Sequence, residues 1–136
     1  MKPPELENWS RYTKRLAWHK LRNTRATLDR NGPPQRARLD LEGAVAWAMQ
    51  AWLAQHGIRP DHGNGWFSAE AQFLGAAPED LAVAVADCLA DLAAFGPGLA
   101  SPAPPGTGRW DSPRWQQETQ HSAARAERLL LRLLQD

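Results

Sequence analysis

The sequence predicts an all-α protein, an up-and-down bundle of four long helices plus a short helix. Three observations carry that expectation. Apolar residues recur at helical spacing in several long segments, no segment alternates with the period of a strand, and one alanine-rich stretch is apolar on almost every side. At 136 residues the chain is read as a single domain, residues 1–136, long enough to bury a true core.

The first helix is expected from about Pro4 to Leu28. Prolines suit its start, and Glu5 and Glu7 complement the helix dipole in the first turn. At about one hundred degrees per residue, Leu6, Trp9, Thr13, Leu16, Leu21 and Leu28 share one face with Ala17 and Thr24. Asn31-Gly32-Pro33-Pro34 breaks the helix. The stretch Ala37–His56 follows and is the expected centre of the bundle: a helix apolar all round is covered by neighbours on several sides. Trp47 and Trp52 are therefore expected in the core, with Gly57 as the left-handed C-cap. It is too short, and too interrupted by Asp40, Glu42 and Gln50, to span a bilayer.

Residues 56–65 read as a loop, and a short helix is expected from about Ser68 to Gly75. Pro78-Glu79-Asp80 opens the next helix, with Leu81, Val85, Cys88, Leu89, Leu92 and Phe95 inward and Asp80, Asp87 and Asp91 as an acidic stripe. Gly96 ends it, and residues 96–111, rich in Pro and Gly, are expected to form a flexible loop. Ser112 and Pro113 then cap a last helix whose inner face carries Trp115, Thr119, Ser122, Ala126, Leu129, Leu130 and Leu133.

Charge is segregated along the chain although the net charge is only +1. Residues through Arg38 balance at about plus seven, and Leu39 to Ala100 at about minus seven. Such asymmetry suggests a polyanion-facing surface or a self-complementary oligomer. The single Cys88 excludes an intramolecular disulfide and a cysteine-based zinc site. No metal-ligand spacing, phosphate-binding glycine loop or nucleophile elbow occurs, so neither a metal nor another cofactor is expected. The N-terminal stretch has no apolar signal core and no long apolar run follows, so a cytoplasmic location without a membrane partner is expected.

Two side-chain groups point to nucleic acid. Arg11, Lys14, Arg15, Arg22 and Arg25 lie opposite the core face of the first helix, with Trp18 among them. A ring bounded by guanidinium groups can stack an unpaired base while the cations take phosphates. In the last helix Arg114, Glu118, His121, Arg125, Arg128 and Arg132 fall on one stripe, because steps of four and three residues keep returning to the same angle. Arg114 and His121 could cleave a phosphodiester without metal. The imidazole would move the proton at the ribose 2′-oxygen or leaving group, Arg114 would stabilise the phosphorane, and Glu118 would orient the imidazole or neutralise Arg114.

The central segment A-V-A-W-A-M-Q-A-W-L-A-Q-H-G-I-R-P and the tail R-W-D-S-P-R-W-Q-Q-E-T-Q-H-S-A-A-R-A-E-R-L-L-L-R-L-L resemble the corresponding helices of the HEPN family of small helical domains. Ribonucleases of that family carry Arg, four to six residues, then His; here six residues separate Arg114 from His121. The residue after the motif Arg is usually polar in active members and here is Trp115. The resemblance implies a HEPN-like homodimer with paired Arg and His residues at a shared cleft, acting on RNA or nucleotides. It further implies a toxin–antitoxin or antiviral defence module, often with a small nucleotidyltransferase partner. Two other readings fit the residues: a non-enzymatic nucleic-acid-binding subunit of a larger effector complex, such as a CRISPR small subunit, and a protein-binding bundle.

Overall fold

The computed structural model describes residues 4–59, 66–93 and 113–135. These form helices α1 (Pro4–Asp29), α2 (Pro34–Gln55), α3 (Trp66–Ala76), α4 (Glu79–Ala93) and α5 (Pro113–Leu133), and no strand occurs among them. The loop expected at 96–111, Phe95 and residues 60–65 of the first expected loop lie outside the described residues.

The first two helices form an antiparallel hairpin. Asn31 adopts a left-handed conformation (φ 54°) at the end of α1. There the Gly32 amide donates to the Thr27 carbonyl at 2.8 Å and the Asn31 amide to that of Leu28 at 3.0 Å. This double closure is a Schellman cap, which satisfies carbonyls the helix itself leaves open. Pro33 then takes an extended conformation and Pro34 starts α2, three residues earlier than the sequence stretch suggests, because a proline at the first helical position forfeits no helix hydrogen bond. The far end of α2 closes the same way. Gly57 (φ 78°) is left-handed, and the Ile58 amide donates to the Leu53 carbonyl at 2.8 Å.

The face of α1 against α2 is built from small and hydroxyl-bearing residues: Ser10, Thr13, Ala17 and Thr24 are buried there with Leu21 and Leu28. Their hydroxyls find backbone acceptors. Thr13 donates to the Trp9 carbonyl at 2.8 Å, and Thr24 lies 3.0 Å from the Lys20 carbonyl and 3.3 Å from that of Ala37 on α2. A buried hydroxyl bonded in this way avoids the desolvation cost of an unmade bond.

Helix α2 packs against every other described helix, as its all-round apolar pattern predicts. The α5 helix runs parallel to it. Gln116 donates to the Gly32 carbonyl at the entry of α2, and Gln55 at its exit donates to the carbonyl of Gln135. The α4 helix runs antiparallel to α5, and α3 inserts Phe73 beside Trp52 near the end of α2. Trp52 is 7% exposed, stacked on His56 with ring centroids 3.9 Å apart and edge-on to Phe73 at 5.1 Å. Trp47 differs from its expectation. It is half-buried, meeting Trp9 at 6.3 Å on the side where α2 is not fully covered.

Candidate nucleic-acid interface

Arg11, Arg15, Trp18, Arg22 and Arg25 fall along one line of α1, since steps of four and three residues return to the same helical angle. No acidic residue occurs between Asn8 and Leu28. Several of the cations are nonetheless engaged inside the molecule. Arg11 meets Glu7 one turn before it at 3.4 Å, Lys20 lies 3.7 Å from Asp40 of α2, and Arg25 donates to Glu127 of α5 at 2.5 Å. Arg15 and Arg22 are exposed and have no ion pair among the described residues. Lys14 is half-buried. Trp18 stands between Arg15 and Arg22 and is partly buried against the core, so only part of its ring is available to a ligand.

The stripe on α5 is arranged differently. Its Arg114 and Trp115 side chains lie outside the described residues. His121, Arg125, Arg128 and Arg132 are exposed and Glu118 is half-buried. This stripe faces α4, not α1. Arg132 donates to Asp80 at 2.9 Å, and Ser122, beside the stripe, donates to Asp91 at 2.8 Å. Arg125, Arg128 and Arg132 line one wall of a cleft of about 470 Å³ whose other wall carries Asp80 and Asp87. Asp80 thus supplies the counter-charge for Arg132, and Asp87 lines the same cleft as Arg125 and Arg128. Glu127, which reaches α1, sits on the opposite flank of α5 from His121, so α5 stands between the two basic groups and they do not form one surface.

Arg38 is a residue whose importance the sequence does not disclose. It is fully buried in α2. Burial holds its guanidinium below the ordinary value, opposed by the fields of Asp91, Glu118 and Glu42 in that order. A guanidinium remains charged under such pressure, so three carboxylates from α2, α4 and α5 gather about a cation in the core. Glu118 therefore lies in the field of this buried guanidinium as well as on the α5 stripe. The only advance signal is an Arg one turn before Glu42 at the start of an apolar helix.

Cys88 sits at the base of the α4–α5 cleft, buried. Burial pushes its thiol up to about 11, with Arg125 pulling it down and Asp91 up, so it stays protonated and unreactive at neutral pH. Among the described residues no group of three or more His, Cys, Asp or Glu side chains is placed to hold a metal ion. No described helix is long and apolar enough to cross a membrane. Comparison with family models, curated proteins and solved structures returns no match for this chain.

Proposed function

We propose that this protein is a HEPN-like helical bundle that binds the phosphate backbone of single-stranded RNA along α1. The observation that carries the reading is the pair Arg15 and Arg22. They stand two turns apart on an acid-free stripe, exposed and without an internal ion pair among the described residues. Cations held this way release counterions when they meet phosphates, which makes binding favourable and salt-dependent. Trp18 between them offers an aromatic edge against which a base can rest. A defence or toxin–antitoxin setting, a homodimer and a nucleotidyltransferase or effector-complex partner belong to this proposal through the HEPN resemblance alone.

The test is a binding titration of a fluorescent single-stranded RNA over a range of salt concentrations. Changing both Arg15 and Arg22 to Gln is expected to weaken binding and to reduce the log–log salt slope by roughly 1.4, about 0.7 for each phosphate no longer neutralised. An unchanged slope with folding intact removes α1 as the interface.

Cleavage is the second reading, favoured by the exposure of His121 one turn beyond Glu118 on a solvent-accessible stripe. It requires Arg114 and places chemistry on a different side of α5 from the α1 stripe.

A further inference from the structure

Helix α1 packs on α2 and α5, and α4 packs on the same two helices, yet α1 and α4 make no substantial contact with each other. A groove of about 960 Å³ is left between them, floored by α2 and reaching Glu70 of α3. Tyr12, Leu16, Trp47, Met49 and Leu89 supply its apolar surface. Tyr12 is 52% exposed and Leu39, also on the groove, 58%, so large apolar surface faces outward here. The size and the lining suit an organic molecule with an apolar body.

The polar groups of the groove decide its charge. They are Lys20, Glu42 and Glu70. Lys20 is already matched by Asp40 at 3.7 Å. Neither Glu42 nor Glu70 has an ion pair among the described residues. Arg38 acts on Glu42 from the core side but is shared with Asp91 and Glu118, so that cluster too is net negative. The surplus is in negative charge, next to two aromatic rings, Tyr12 and Trp47, that favour a cation over their faces.

We propose that the α1–α2–α4 groove binds a small organic cation, an amine or quaternary ammonium with an aromatic or alkyl body. The body lies against Tyr12, Leu16, Trp47 and Leu89, and the charged head is held by Glu42 and Glu70. The site is separate from Arg15 and Arg22, which are not among its lining residues.

The experiment uses three probes with one body and different heads: phenylbutylamine, phenylbutanol and phenylbutyrate, titrated into the full chain by calorimetry. The amine is expected to bind about tenfold more tightly than the alcohol, since a charge-assisted contact in a partly desolvated site exceeds a neutral one. Phenylbutyrate is expected to bind most weakly. Glu42→Gln combined with Glu70→Gln is expected to erase the order while leaving residual binding of the shared body. Ala90→Trp, a substitution at an exposed position on the groove wall, is expected to abolish binding of all three with helical content unchanged. Equal affinity for the three heads, no binding of the amine, or amine binding that survives Ala90→Trp overturns the proposal. None of these results depends on whether the chain binds RNA, which the salt titration reads separately.

Discussion

Arg25 of α1 and Glu127 of α5 meet at 2.5 Å across a sequence separation of 102 residues. Both side chains are about two-fifths exposed, so the pair is a screened contact of modest energy. Its larger effect is on which charges remain available, because it removes one cation from the end of the α1 stripe.

Replacing Glu127 by Gln releases Arg25. If the α1 stripe binds RNA, the variant is expected to bind more tightly at low salt and to steepen the salt slope by about 0.7, one further phosphate neutralised. The loss of stability is expected to stay within about 1 kcal/mol, measured by urea denaturation.

Trp52 and Trp47 are expected to respond unequally. Trp52→Ala removes a buried ring from between His56 and Phe73 and should cost about 3–5 kcal/mol. Trp47→Ala removes a half-buried ring on the groove wall and should cost clearly less. Equal losses in chemical denaturation would place Trp47 in the core after all.

The catalytic reading rests on Arg114 and His121. His121→Ala should change stability by no more than about 0.5 kcal/mol, because the side chain is exposed. If the chain cleaves RNA, His121→Ala and Arg114→Ala should each abolish cleavage, and DNA, which lacks the 2′-hydroxyl, should remain uncut. Purified wild-type chain that cuts no RNA, alone or with a partner, would leave binding as the only role.

Glu42 gives a pH signature. Burial raises its carboxyl above the ordinary value of 4.5, with Arg38 acting in the opposite sense. The folded chain therefore holds this proton to higher pH than the unfolded chain does. The contribution of Glu42 to stability is complete below the unfolded value and is lost as pH rises through the folded one. Glu42→Gln should accordingly be more stable than the wild type at neutral pH, with the difference vanishing in acid, as melts across pH would record.

The helices were legible in the sequence because their signals are local. The α1 boundaries follow from Pro4 and the Asn31–Gly32 cap, and the central place of α2 follows from alanines and leucines on all its sides. What the periodicity of α2 does not encode is how its neighbours are spaced around it. Trp47 therefore reads as core although it faces the gap between α1 and α4. The partners of the α5 arginines are hidden for a related reason. Asp80 finds Arg132 across 52 residues, a pairing that depends on α4 lying against α5 and not on either stripe alone. Arg125 and Arg128 read as phosphate ligands on their own helix, and only the fold brings Asp80 and Asp87 across from them.

The tight link from Asn31 to Pro33 also bears on the order in which the molecule assembles. The two longest helices meet through contacts close in sequence, while α5 reaches α2 from the other end of the chain. Closing a short hairpin costs little chain entropy, so α1 and α2 are expected to pair first and α5 to dock after the rate-limiting barrier. Substitutions under α5, such as Leu130→Ala, should then mainly accelerate unfolding, whereas Leu21→Ala in the hairpin should slow folding, a division that chevron plots resolve.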